Sequence, residues 1–122
     1  MIKAVAPPPV IPADGLTMIQ GKPFVRFEAL LQMAHAQGLL RLETTMVQCS
    51  EVLAVCQATA TFKDGRVFTD IGDATERNVP KHLAPHFIRL AATRASARAL
   101  RRALNLSVCS LEELDGSEVT HG

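Results

Sequence analysis

The chain has 122 residues, which fits a single domain with a modest core and is short for a two-domain enzyme. Nearly half of the residues are apolar, a fifth are charged and the formal net charge is only +1, as in a globular protein without an overall electrostatic bias. No apolar run is long enough for a membrane span, no signal-peptide core precedes Gly21 and no C-x-x-C pair occurs, so we expect a cytoplasmic protein without a membrane partner.

The N-terminal segment is rich in proline and contains the turn-forming pair Asp14-Gly15. Proline interrupts helices, and the segment lacks strand alternation, so we predict a Pro-rich arm over residues 1–22. A domain over residues 23–106 and a short acidic C-terminal segment over residues 107–122 complete the predicted organisation.

A first helix is predicted after Pro23, because apolar residues recur there at steps of three and four residues. These residues are Phe27, Leu30, Leu31 and Ala34. Gln37-Gly38 supplies the expected C-terminal stop, since glycine readily adopts the conformation that ends a helix.

Three strands are predicted between Leu40 and Ala74, where β-branched and aromatic residues are frequent. The sequence Lys63-Asp64-Gly65-Arg66 predicts a two-residue type I′ hairpin turn, because Asp and Gly tolerate the positive φ angles of that turn. A weaker turn at Ser50-Glu51 completes a three-stranded antiparallel meander.

The middle strand is predicted to have one small apolar face. The two turns set a register that pairs Cys56 with Thr45 and Cys49 with Val52. The apolar face then consists of Val52, Ala54, Cys56, Ala58, Ala60 and Phe62. The opposite face consists of Leu53, Val55, Gln57, Thr59 and Thr61. Because the first face is small, another element can approach it closely.

A long helix is predicted from about Pro85 to about Leu104. One stripe consists of Ile88, Ala92, Ala95, Ala99 and Ala103. A second stripe consists of Leu90, Thr93, Ala97, Leu100 and Leu104. We expect the sheet to cover the alanines, and the first helix or a neighbouring subunit to cover the second stripe. The elements together predict an α+β fold, with a three-stranded antiparallel β-meander packed on a long α-helix and preceded by a short helix.

Positive charge is concentrated in one window, since seven Lys/Arg and no Asp/Glu lie between Arg77 and Leu111. Arg94, Arg98 and Arg101 or Arg102 recur along one helix face, between the two stripes. Planar guanidinium groups match phosphate oxygens, so this strip is predicted to bind the backbone of a nucleic acid. The alternative is that the arginines pair with acids elsewhere in the fold.

Basic residues outside the helix extend this hypothesis to a groove between hairpin and helix. The predicted DNA-binding set is Arg94, Arg98, Arg101, Arg102, Lys63, Arg66 and Lys81. The chain has no Trp and no Tyr, so platforms for base stacking are scarce and we expect backbone contacts with little sequence reading.

Catalytic and metal chemistry are not expected. His82 and His86 have a spacing suited to zinc, but Pro85 interrupts the turn between them. Asp70 and Asp73 resemble the acid pair of a metal-dependent nuclease, yet three residues apart on a strand they point to opposite faces. One of them is instead expected to stabilise a turn around Gly72. We predict no enzyme, no cofactor, no metal and no small-molecule substrate.

The C-terminal half carries a resemblance. The stretch FTDIGDATERNVP, residues 68–80, followed by PHFIRLAATRASARALRRALNL, residues 85–106, resembles the DdrA family of DNA damage response proteins. This family belongs to the superfamily of single-strand annealing proteins, which includes the eukaryotic Rad-type annealing proteins and phage Red-beta. The signature is GDA followed by a helix of the form R-x-A-x-T-R-A-x-x-R-A-L-R, here residues 89–101.

The resemblance implies a β-β-β-α core that assembles into a homo-oligomeric ring and binds single-stranded DNA, mainly through its phosphates. It places Arg98 and Arg101 at DNA-contacting helix positions, and Lys63 and Arg66 in the hairpin that walls the groove. It implies a role in DNA repair and recombination by protecting 3′ ends or annealing strands, with nucleoid association. The alternative that remains is a structural or assembly module whose arginines form ion pairs between subunits, without DNA binding.

Overall fold

Secondary structure follows the hydrophobic pattern of the sequence over most of the domain. The computed structural model describes residues 11–75, 77–79, 86–106 and 110. A 3₁₀ turn (Ala13–Gly15) precedes β1 (Leu16–Ile19), β2 (Lys22–Val25), α1 (Phe27–Ala36), β3 (Leu39–Cys49), β4 (Leu53–Phe62), β5 (Val67–Thr75) and α2 (Phe87–Leu104). The order β3-β4-β5 forms an antiparallel sheet that packs against α2. The predicted α+β fold is therefore confirmed.

A small hairpin lies within the segment that we predicted to be an arm. β1 and β2 pair in antiparallel register around Gln20 and Gly21, whose φ angles of 50° and 78° are those of a two-residue primed turn. Pro23 lies opposite Met18, at a non-hydrogen-bonded position where its missing N–H leaves no gap in the ladder. The prediction of an arm without strands up to residue 22 is therefore wrong from Leu16 onward, and residues 1–10 lie outside the described part.

The first helix begins four residues later than the change of pattern at Pro23 suggested. Pro23 belongs to β2, and α1 starts at Phe27. Gly38 adopts a φ of 93°, which confirms the predicted stop after Gln37. α1 buries one apolar face formed by Ala29, Leu30, Met33 and Ala34.

The hairpin between β4 and β5 uses a different turn from the predicted type I′. Only Gly65 has a positive φ there, 95°, and its N–H donates to the Phe62 carbonyl at 3.0 Å. The Asp64 carboxylate accepts from the Arg66 N–H at 3.1 Å and from Arg66 Nε at 2.7 Å. Asp64 thus holds the loop with its side chain, and the type I′ prediction is wrong.

The register between β3 and β4 also differs from the predicted one. Cys56 pairs with Met46 and Cys49 pairs with Ala54. The turn lies one residue later than predicted, since the Ser50 N–H donates to the Leu53 carbonyl at 2.8 Å, and a bulge between Met46 and Gln48 then shifts the register again. Bulges depend on the partner strand and have no marker in this stretch of sequence. The apolar face of β4 is nevertheless as predicted from Ala54 to Phe62, where alternate residues are buried. Val52 precedes the strand and is exposed.

Alanines of α2 contact the small face of β4 and β5, as predicted, although the stripe is rotated. Its buried members are Ala91, Ala95 and Ala99, packed in one cluster with Ala54 and Ala58, among others. Ile88, which we placed in this stripe, is 40% exposed.

The second stripe of α2 is covered within the same chain. Ala97, Leu100 and Leu104 share a core cluster with Leu30 and Met33 of α1. Of the two expected partners of this stripe, the first helix is therefore confirmed, because α1 occupies the position that a neighbouring subunit would otherwise fill.

α2 ends at a residue in the left-handed conformation, where Asn105 has a φ of 55°. Asparagine is the residue that most often replaces glycine at such helix ends. Among the residues that the structure describes, no helix is both long and apolar enough to cross a membrane.

The two described cysteines differ in exposure, and we expect them to differ in reactivity. Cys49 is exposed and Cys56 is buried. Burial raises the pKa of the Cys56 thiol, and the nearby charge of Cys49 raises it further. At neutral pH an alkylating reagent should therefore modify Cys49 first, and modification of Cys56 should accelerate as the pH rises.

Peptide mapping by mass spectrometry after timed alkylation measures both rates, and Cys49→Ser isolates the slower one. Modification of Cys56 as fast as that of Cys49 would contradict the buried position of Cys56 in β4.

Candidate nucleic-acid interface

The arginines of α2 lie along the outer edge of β5. The Phe62 N–H donates to the Arg66 carbonyl, so Phe62 and every second residue of β4 are hydrogen bonded toward β5. The other residues of β4 do not bond to β5. Their partners on β5 therefore direct their backbone N–H and C=O groups away from the sheet, and these partners include Ile71, Asp73 and Thr75. α2 approaches this edge closely enough for its side chains to bond those groups.

Arg94 is part of the buried structure. Its side chain is only 2% exposed, and Nη1 donates to the Asp73 carbonyl at 3.0 Å and to Asn78 Oδ1 at 2.9 Å. Nη2 donates to the Asn78 carbonyl at 2.6 Å. The guanidinium therefore joins β5 to the segment that follows it, and its burial disfavours the DNA contact that we predicted for Arg94.

Arg98 combines a structural contact with partial exposure. Its Nη1 donates to the outward carbonyl of Ile71 at 3.0 Å and lies 3.7 Å from Asp73 Oδ1. A third of the side chain remains exposed. Arg98 thus bonds the strand edge through Nη1 while its side chain stays partly accessible.

Arg102 is the most exposed of the group, with 61% of its side chain accessible. Its Nη2 donates to Asp70 Oδ2 at 3.2 Å. The other oxygen of Asp70 accepts the outward N–H of Ile71 at 2.8 Å. An exposed pair of this kind contributes little stability, so Arg102 can exchange its carboxylate partner for another anion at small cost.

An open cleft of about 380 Å³ lies at the C-terminal end of α2. It is lined by Asp70, Arg98, Arg101, Arg102, Asn105 and Leu106. Among the described residues, three arginines and one aspartate line this space, so basic side chains outnumber acidic ones there. We refer to this feature as the arginine cleft.

Lys63 and Arg66 do not line the arginine cleft. Arg66 stacks on Phe62 at 4.8 Å and is 5.9 Å from the centre of Phe68, while its Nε binds Asp64. Lys63 is exposed at the tip of the same hairpin. Lys81 lies outside the described residues.

The two acids of β5 form hydrogen bonds along the outer edge of the strand. Asp70 and Asp73 lie on opposite faces of β5, as expected, and Asp73 Oδ2 accepts from Asn78 Nδ2 at 3.3 Å. Gly72 belongs to the strand, so the expected turn around it is wrong. Within the described part of the chain, no three His, Cys, Asp or Glu side chains form a group suited to a metal ion. His86 precedes α2 and is exposed, whereas His82 is outside that part.

Sequence reasoning missed the role of Asn78. Its Oδ1 accepts the outward N–H of Thr75 at 2.7 Å and also receives Arg94. Asparagine is favoured in turns, which is the signal that the sequence offered, but its pairing with a helix residue depends on the tertiary fold.

The fold and the arginine cleft define the class of this protein: an α+β domain whose sheet carries a long helix with clustered guanidinium groups at one end. No known family model matches the chain, and no curated protein matches it either.

Proposed function

We propose that this protein binds single-stranded DNA through the sugar-phosphate backbone, with the arginine cleft as the contact site. The observation that carries the proposal is the convergence of Arg98, Arg101 and Arg102 on one open space, in which Asp70 is the acid among the described lining residues. Guanidinium binds phosphate oxygens with two parallel hydrogen bonds, which suits a backbone phosphate.

The exposed contact between Arg102 and Asp70 supports this mechanism. Arg102 binds Asp70 at an exposed position, and a phosphate entering the cleft would take over that contact. Each neutralised phosphate releases counterions, so binding would weaken steeply as the salt concentration rises. The scarcity of aromatic side chains favours backbone contact over base recognition.

The resemblance to single-strand annealing proteins supports a role in DNA repair and recombination, through protection of 3′ ends or annealing. It also favours a homo-oligomeric ring, in which neighbouring arginine clefts would follow one another along a strand, and nucleoid association in the cytoplasm. Lys63 and Arg66, at the tip of the β4–β5 hairpin, would then extend the contact surface.

A second candidate is a structural module without DNA binding. It is favoured by the contacts that Arg98 makes with Ile71 and Asp73 and by the pair between Arg102 and Asp70. In this alternative the arginines serve to close the edge of β5, and the charges within the arginine cleft have no external partner.

Arg102→Ala tests the proposal at the most exposed guanidinium. We expect its affinity for a labelled single strand to fall about ten-fold at low salt, and the slope of log affinity against log salt to decrease by about 0.7. Arg89→Ala removes an exposed arginine from the same helix outside the arginine cleft and should leave both quantities nearly unchanged. Fluorescence anisotropy at several salt concentrations measures them.

Asp70→Asn separates the two candidates. Removing the charge of Asp70, the acid among the described residues that line the arginine cleft, should strengthen strand binding if phosphates enter there. If the protein is a purely structural module, neither Asp70→Asn nor Arg102→Ala changes the signal measured with the labelled strand. That pair of results would refute the DNA-binding proposal.

A further inference from the structure

The two edges of the main sheet are treated differently. On β5, side chains of the same chain occupy outward backbone groups: Asp70 accepts from Ile71, Arg98 donates to Ile71 and Arg94 donates to Asp73. Asn78 accepts from Thr75. This edge is therefore closed to another strand along its central and C-terminal part.

Among the residues that the structure describes, none pairs with the outer edge of β3. Every second residue of β4, beginning with Phe62, forms its backbone hydrogen bonds with β5. The residues between them form theirs with β3, and their partners there include Arg41, Glu43 and Thr45. Leu42, Thr44 and Met46 must then direct their N–H and C=O groups outward, and no described side chain bonds to them.

The residues of this edge have the character of a pairing surface. β3 has 11 residues without proline or lysine, the two residue types that most often protect an exposed edge. Several of its apolar side chains are exposed, with Leu40 at 56%, Met46 at 48% and Val47 at 58%. An edge of this length and composition favours addition of another strand.

We propose that β3 pairs with β3 of a second copy of this chain, in antiparallel orientation about a two-fold axis at Leu42. A second copy fits because the closed edge of β5 leaves β3 as the available partner edge, so the contact must be symmetric. This interface is independent of the arginine cleft and would join two sheets into one of six strands.

Charge complementarity selects the register. Arg41 and Glu43 lie two residues apart on the same face of β3, 3.3 Å apart between Nε and Oε1. With the axis at Leu42, each Arg41 lies opposite the Glu43 of the other copy, in a non-hydrogen-bonded pair where side chains are closest. Leu42, which packs against the core cluster shared by α1 and α2, meets its own copy on the inner face.

Neighbouring registers are disfavoured by the same residues. Backbone hydrogen bonds between the two copies form only if residues with outward N–H and C=O groups lie opposite one another. The possible registers therefore differ by two residues in pairing, which shifts the two-fold axis by one residue. An axis at Glu43 places Glu43 opposite Glu43, and an axis at Arg41 places Arg41 opposite Arg41. Like charges directly opposite destabilise strand pairs.

Charge reversal tests both the partner and the register. Arg41→Glu and Glu43→Arg should each weaken self-association on the order of ten-fold, because both cross-strand pairs become repulsive. An equimolar mixture of the two variants should regain association as a heterodimer, since all the pairs are then opposite in sign. The double variant Arg41→Glu/Glu43→Arg should regain self-association.

Sedimentation equilibrium at increasing concentration measures the mass, expected to rise from that of the 13.2 kDa monomer to at least twice that value. Glu51→Arg, in the loop before β4, is the matched control and should leave association unchanged. A native chain that stays monomeric, or a mixture that associates no better than each variant alone, overturns the proposal. Loss of strand binding in Arg102→Ala without a change in mass shows the two proposals to be separate.

Discussion

Gly72→Ala is expected to lower the free energy of unfolding by about 3 kcal/mol, among the largest losses for a single methyl group in this domain. A Cβ at residue 72 would lie 2.6 Å from the Ala91 carbonyl oxygen and closer still to the Ala95 nitrogen. Both atoms belong to the backbone of α2, so the helix itself must move away from the sheet. Chemical denaturation followed by circular dichroism measures the loss.

Gly65→Ala is the matched control for that substitution. No atom lies within 4 Å of the added Cβ at this position, and the cost arises only from the φ of 95°. We expect a loss of about 1 kcal/mol, the penalty of a left-handed conformation for a residue with a side chain. Equal losses at the two glycines would show that α2 does not depend on close approach at Gly72.

Arg94→Ala is expected to destabilise the fold by about 3 kcal/mol, because it leaves buried backbone groups without their donor. The carbonyls of Asp73 and Asn78 both lose a guanidinium contact. Arg94→Lys should recover only part of this loss, since an ammonium group cannot reproduce the planar arrangement of donors.

Arg89→Ala is the control here, as an exposed arginine of the same helix, and should change stability by less than about 0.5 kcal/mol. Thermal unfolding and strand binding should be measured on the same samples. An Arg94→Ala variant with native stability and weakened DNA binding would contradict the structural role that we assign to Arg94.

The arginines of α2 therefore form a graded series along the strand edge. Arg94 is buried, Arg98 is partly exposed and Arg102 is mostly exposed. Since the direction of α2 relative to β5 sets this gradient, the arginines that lie along β5 become accessible toward the C-terminal end of the helix. The accessible arginines of this series therefore line the arginine cleft at the C-terminal end of α2, and do not form the continuous strip that their spacing predicted.

Local chemistry was sufficient to predict the meander, the alanine contact and the position of the long helix. The alternation from Ala54 to Phe62 determined which face of β4 is buried, and Gly38 determined where α1 ends. These features depend on period and on the conformational range of single residues, both of which are properties of a short stretch of chain.

The sequence by itself determined that an arginine-rich helix would cover a small-residue sheet, because spacing and side-chain volume are sufficient for that conclusion. The tertiary structure decided which arginines remain accessible, because the partners of Arg94 and Arg102 lie on β5 and just beyond it, 16 to 32 residues away. It also decided that α1 covers Leu100 and Leu104 and that no other described strand pairs with the outer edge of β3. Long-range burial and hydrogen bonding depend on how elements meet, and helical or strand spacing carries no information about that meeting.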